Sequence, residues 1–193
     1  YYHPPWPGSN EPMALYMLKL DPQRVRLSSV HANDEAMGIE TVDAIARRRD
    51  AVAAVNGSFF VVTNGDPMYV LKEAGEFVSD SSIIKGAVLI RSPAQGRTEL
   101  AFDQISATAS LSFKAGGRER TVPIAGIDTT RARGRLMMFT PHYHSDTDTA
   151  ANGTEWVLRG QPLRVTEIRR DAGRTPIPKD GVVLSFGGLD LPE

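Results

Sequence analysis

The chain has 193 residues, 41% of them hydrophobic and 23% charged, with a formal net charge of -1 and no cysteine. That length and composition fit one sizeable globular domain with its own core, and the near-neutral charge provides no general field for nucleic acid or an anionic membrane. The absence of cysteine excludes disulfides, a thiolate nucleophile and cysteine-ligated zinc, and no stretch approaches the roughly 20 apolar residues of a membrane helix.

Residues 1 to 12 contain Pro4, Pro5, Pro7 and Pro12 with Gly8 and Asn10, and read as an extended lead-in. Met13 to Leu20 and Arg24 to Val30 are strand-like runs on either side of Asp21-Pro22, which predicts a hairpin. Thr41 to Arg49 is the clearest helix: Thr41 can cap it, Asp43 lies in its first turn, and Val42, Ile45 and Ala46 share one face. The basic run Arg47-Arg48-Arg49 ends that helix, where it complements the dipole.

Ala51 to Val55 follows as five small apolar residues and predicts a buried strand, stopped by Asn56-Gly57-Ser58. A buried strand that delivers an amide at its exit, beside a glycine that lets a ligand approach, is a common way to build a site. Asn64-Gly65-Asp66-Pro67 is a turn signal. Strands are expected over Gly86 to Arg91, Thr98 to Asp103 and Ala107 to Phe113. A hairpin turn at Lys114 to Gly117 leads into Glu119 to Ile124. Further strands are expected over Arg135 to Phe139, Glu155 to Leu158, Leu163 to Arg169 and Val182 to Phe186. The fold class is therefore α+β, a strand-rich mixed sheet core with few short helices.

Four ordered segments carry a resemblance. They are Gly38 to Arg48, then Ala53 to Phe60 with Gly65-Asp66-Pro67, then Gly126-Ile-Asp-Thr-Thr-Arg131, and Met137-Met-Phe-Thr-Pro-His-Tyr143; Thr175 to Ser185 also fits. Together they resemble the phosphodiester glycosidase family, whose animal member is the uncovering enzyme that removes N-acetylglucosamine from mannose-6-phosphate diesters. The resemblance covers roughly Met13 to Gly188. It implies a domain over 13–193 and a hydrolase cleaving sugar-1-phosphodiester linkages in glycans or cell-envelope polymers. It also implies an extracytoplasmic or secreted setting without a cofactor. Family members continue into a C-terminal Asn-Leu-Asp-Gly-Gly-Gly-Ser-type motif, for which Phe186-Gly-Gly-Leu-Asp190 is a poor substitute. The expectation is thus the front part of such a domain, completed by a further segment or a second chain. The alternative is a non-catalytic carbohydrate-binding or envelope-associated module that kept the fold without the chemistry.

Cleaving a glycosyl phosphodiester calls for a carboxylate near the sugar and cationic or N–H donors near the phosphate. Glu40, Asn56 and Asp66 are the candidate catalytic residues, and Gly57, Arg131, Thr140 and His142 the candidate substrate-binding ones. Glu40 occupies a recurrent family position, although an acid before a helix cap also suits the dipole. The Asn56 amide can donate to and accept from a hydroxyl or phosphate oxygen, and equally can form a turn. Asp66 is an ordinary residue for a Gly-Asp-Pro turn. Arg131 matches a recurrent family arginine and can bind phosphate through two parallel hydrogen bonds, or form a surface ion pair. His142 and His144 lie near Asp146 and Asp148, but without a third element of metal-ligand spacing they predict a polar cleft rim and no metal site.

Overall fold

The computed structural model describes residues 16–80 and 85–191. They fall into two compact units. The first, bounded as Tyr1–Ser28 with Val88–Phe102, is described from Tyr16 onward; the second comprises Ser29–Ala87 and Asp103–Glu193. The lead-in over residues 1 to 12 lies outside the described residues.

The first unit carries most of a two-stranded sheet, β3 (Gly86–Arg91) with β4 (Glu99–Gln104). Asp21-Pro22 turns the chain as its sequence predicts, with the Arg24 N–H donating to the Asp21 carbonyl at 2.9 Å. The hairpin expected around that turn is corrected. Met13 to Leu15 lie outside the described residues, and neither Tyr16 to Leu20 nor Arg24 to Val30 is a strand. Side-chain hydroxyls satisfy the second run instead. Thr98 Oγ1 donates to the Val25 carbonyl at 2.6 Å, and Ser92 Oγ accepts from the Leu27 N–H at 2.9 Å.

The second unit is built on six strands in the order β5 (Ala109–Ala115), β6 (Arg118–Ile127), β7 (Leu136–Phe139), β10 (Gly181–Phe186), β8 (Gly153–Arg159) and β9 (Arg164–Ala172). The β6–β7 pair is parallel and the other pairs are antiparallel. Gly116 and Gly117 close the β5–β6 hairpin with φ of 57° and 76°, the left-handed pair that a two-residue turn of matching twist requires.

Successive residues of the central strands serve opposite faces of this sheet. Met137, Phe139, Val157 and Val183 join one apolar cluster with Val78 and Tyr143. Leu136, Trp156, Leu158, Leu184 and Phe186 form the other, where Trp156 meets Phe186 edge-on at 5.2 Å. Burial on both faces explains why these strands are continuous apolar runs rather than alternating ones.

The second unit also holds a short helix and a small hairpin. Helix α1 (Val42–Arg48) is capped by Thr41 Oγ1, which accepts from the Ala44 N–H at 3.4 Å. A hairpin of β1 (Leu71–Glu73) and β2 (Glu76–Ser79), turning through Ala74 and Gly75 at positive φ, was not signalled by the sequence. Three residues are too few to display an alternation.

The buried strand expected at Ala51 to Val55 is also corrected. The segment belongs to no strand and bends at Val52, with Val52 97% and Val55 87% exposed. Its composition suits a strand covered on both faces, yet no strand among the described residues pairs with it. Without neighbouring strands an apolar run has nothing to be buried by.

Candidate active site

A cleft of about 1080 Å³ opens on the second unit. Glu76 and Phe77 of β2 line one part of it, Thr140, Pro141 and His142 after β7 another, and Gln161, Lys179 and Asp180 the remainder. Strand β7 ends at Phe139, and the next residues fold into a turn in which the Tyr143 N–H donates to the Thr140 carbonyl at 3.0 Å. The Thr140 hydroxyl also accepts from the His142 N–H at 3.2 Å. His142 Nε2 lies 2.6 Å from Glu76 Oε2, which joins two walls of the cleft.

Asp128 sits directly behind Thr140. It is fully buried and accepts the Thr140 N–H at 2.6 Å and the Thr140 hydroxyl at 2.5 Å. Burial pushes its carboxyl up to about 7, against the downward pull of Thr140 and of His142, and the charge of Asp66 adds a further upward push. Its backbone is left-handed at φ 51°, a strained conformation for a residue with a Cβ.

Asp66 is 2% exposed, and its Oδ1 has no hydrogen-bond partner. Burial raises its carboxyl to about 6. The Asn64-Gly65-Asp66-Pro67 turn forms as expected, with Gly65 N–H donating to the Val61 carbonyl at 2.7 Å. The Gly38 N–H bonds the Asn64 carbonyl at 2.9 Å, and Gly65 packs so closely on Gly38 that a Cβ there would lie 1.8 Å from the Gly38 oxygen. That contact seats Asp66 inside. The Tyr143 hydroxyl is likewise held above its ordinary range, first by burial and then by the charges of Asp66, Asp148, Asp128 and Asp146.

The other predicted residues lie elsewhere. Glu40 accepts from Arg48 Nε at 3.1 Å, from the second Arg48 nitrogen at 2.8 Å and from the Asn33 N–H at 3.0 Å. The Arg48 bonds, followed by the Asn33 N–H, hold its carboxyl below the usual carboxylate range. Asn56 and Gly57 are exposed and do not line the cleft. Arg131 is 7% exposed at its side chain. It donates to Ser185 Oγ at 3.1 Å, to the Ala150 carbonyl and to Asn152 Oδ1, and lies 3.9 Å from Glu155 Oε1. Its guanidinium therefore braces the sheet end and has no open fork for phosphate.

Glu155 and Asp128 are the residues that sequence reasoning missed. Glu155 is fully buried opposite Ser185 in the β8–β10 register. It accepts from Ser185 Oγ at 2.8 Å, Thr149 Oγ1 at 2.8 Å, Thr147 Oγ1 at 3.0 Å and the Thr175 N–H at 3.2 Å. Burial alone would raise its carboxyl, but the donors of Thr175, Ser185, Thr149 and Thr147 outweigh that and hold it low. The available signal was an acid inside an otherwise apolar strand. Asp128 had a similar one, an acid just past the apolar end of β6.

Chemically, the arrangement offers two buried carboxyls that keep protons to near neutrality, a hydroxyl joined to one of them, and a cleft wall carrying an imidazole and an ammonium. Neither carboxyl lines the cleft itself; Asp128 is joined to it through Thr140. No group of three or more acidic or histidine side chains suited to a metal ion occurs among the described residues. Compared with protein-family models, curated proteins and solved structures, the chain has no match.

Proposed function

We propose that this chain is a hydrolase acting on sugar-1-phosphodiester linkages, such as N-acetylglucosamine-1-phosphodiesters of glycans or envelope polymers, in an extracytoplasmic setting. The observation that carries this reading is the pair of buried carboxyls Asp66 and Asp128, raised to about 6 and about 7, of which Asp128 is hydrogen-bonded to the cleft-lining Thr140. The resemblance of the ordered motifs supports it. Hydrolysis needs a proton for the departing phosphate oxygen and a base to take one from the attacking water. Carboxyls that titrate near neutrality suit both tasks. Because the Arg131 donors are already engaged, the phosphate role falls to Lys179 and His142 on the cleft wall.

Release of free sugar from an N-acetylglucosamine-1-phosphodiester tests the proposal. Turnover by the wild-type chain that drops at least about a hundredfold in Asp66→Asn and Asp128→Asn supports it. Turnover unchanged in both removes it.

Two observations favour a second reading, a carbohydrate-binding module without turnover. The Glu40 carboxylate is occupied by Arg48 and Asn33, and Asn56 stands away from the cleft lining. Saturable binding of the same compound with no sugar released identifies that case.

A further inference from the structure

The chain contains three Asn-Gly pairs, at 56–57, 64–65 and 152–153, and the fold treats them differently. Asn-Gly is the dipeptide in which the following backbone nitrogen most easily reaches the asparagine side chain, because glycine places no Cβ in the way and leaves the backbone free to rotate. Asn64-Gly65 is held by the turn. The Gly65 N–H donates to the Val61 carbonyl at 2.7 Å, and Asn64 Oδ1 accepts from the Asp66 N–H at 3.1 Å. Asn152-Gly153 is held as well: Asn152 Oδ1 accepts from Arg131, and Gly153 opens strand β8 against Ala172. Asn56-Gly57 has neither restraint. Both residues are exposed and form no hydrogen bond among the described residues, and nothing lies within 4 Å of the place where a Gly57 Cβ would stand.

We infer that Asn56 is a site of spontaneous deamidation and isoaspartate formation, with Asn64 and Asn152 protected by the fold. The Gly57 nitrogen attacks Cγ of Asn56, a C–N bond forms, and the side-chain amide leaves as ammonia, carrying the displaced proton. Water then opens the cyclic imide at one carbonyl or the other, giving aspartate or isoaspartate. No oxidant or cofactor is required. Each event replaces a neutral amide, able to donate and accept, with a carboxylate that only accepts at neutral pH. An Asn56 that contacts an anionic ligand would lose that contact with age.

The experiment incubates the full chain, folded, at mildly alkaline pH and follows all three sites by peptide mapping, with enzymatic methylation to count isoaspartate. Asn56 is expected to convert several-fold faster than Asn64 and Asn152 in the folded chain, and the three rates to converge in denaturant. Gly57→Ala, for which the structure has room, should slow conversion at Asn56 while leaving the other two unchanged. Folded-state rates at Asn56 no greater than at Asn64 and Asn152 would overturn the assignment. So would a Gly57→Ala chain that converts Asn56 as fast as the wild type.

Discussion

Thr140 gives both of its donors, backbone N–H and hydroxyl, to the single carboxylate of Asp128, at 2.6 and 2.5 Å. The strained turn of Asp128 after β6 and the turn that ends β7 are thereby fixed to each other, and the second of them carries His142 to the cleft. Thr140→Val keeps the shape and removes the hydroxyl. It should cost about 1–3 kcal/mol in urea unfolding, the usual cost of leaving a buried acceptor short of a donor. A variant as stable as the wild type would mean that the hydroxyl bond contributes nothing.

Asp66 and Asp128 make stability depend on pH in a stated direction. Both carboxyls are raised from 3.8, to about 6 and about 7, by burial. Between these values the folded chain keeps protons that the unfolded chain has lost. Their stabilising contribution is therefore complete below about pH 4 and is lost as pH rises through about 6 to 7. The change is roughly 3 kcal/mol for Asp66 and roughly 4 kcal/mol for Asp128. Asp128→Asn cannot ionise and can still accept from Thr140, so its stability should decline less than that of the wild type between about pH 5 and pH 8. Parallel declines in thermal or urea unfolding would contradict the assignment.

Glu155 is a buried charge whose partners are all protein groups, and its loss should be felt throughout β8 and β10. Glu155→Gln removes the counter-charge of Arg131 and turns an amide N–H₂ toward groups that are donors themselves. The expected loss is roughly 3–5 kcal/mol. A double-mutant cycle with Arg131→Met should return a coupling of about 1 kcal/mol or more. Independent, additive effects would show that the two residues do not act together.

Two glycines of the resemblance motifs differ in what they tolerate. Gly65 has φ +80° and a Cβ there would sit 1.8 Å from the Gly38 oxygen, whereas Gly57 faces open space. Gly65→Ala should cost about 3 kcal/mol or prevent folding, and Gly57→Ala should stay within about 0.5 kcal/mol of the wild type. Equal melting temperatures for the two variants would count against the close approach that seats Asp66.

Much of the sheet was legible in the sequence because its central strands are apolar on both faces and bounded by turn residues. Met137 to Phe139, Trp156 to Leu158 and Val182 to Leu184 needed no tertiary information to be read as strands. The helix was legible from Thr41 and its periodic apolar face. The same reasoning failed at Ala51 to Val55, where composition records a preference for burial and says nothing about whether neighbouring strands are present to supply it.

The sequence by itself determined the strand-rich α+β class, the helix and its cap, and the tight turns at Asn64 to Pro67 and Gly116-Gly117. Propensity, periodicity and left-handed backbone geometry are local properties, written in neighbouring residues. Tertiary structure alone decided which acids are buried and what faces them. It placed Asp128 under Thr140, left Asp66 Oδ1 unpartnered, closed Arg131 and Glu155 into one network, and occupied Glu40 with Arg48. Desolvation and hydrogen-bond partners depend on residues distant in the chain, so the same Asp or Glu letter describes a solvated surface acid, a proton-retaining carboxyl or a permanently charged brace until the fold surrounds it.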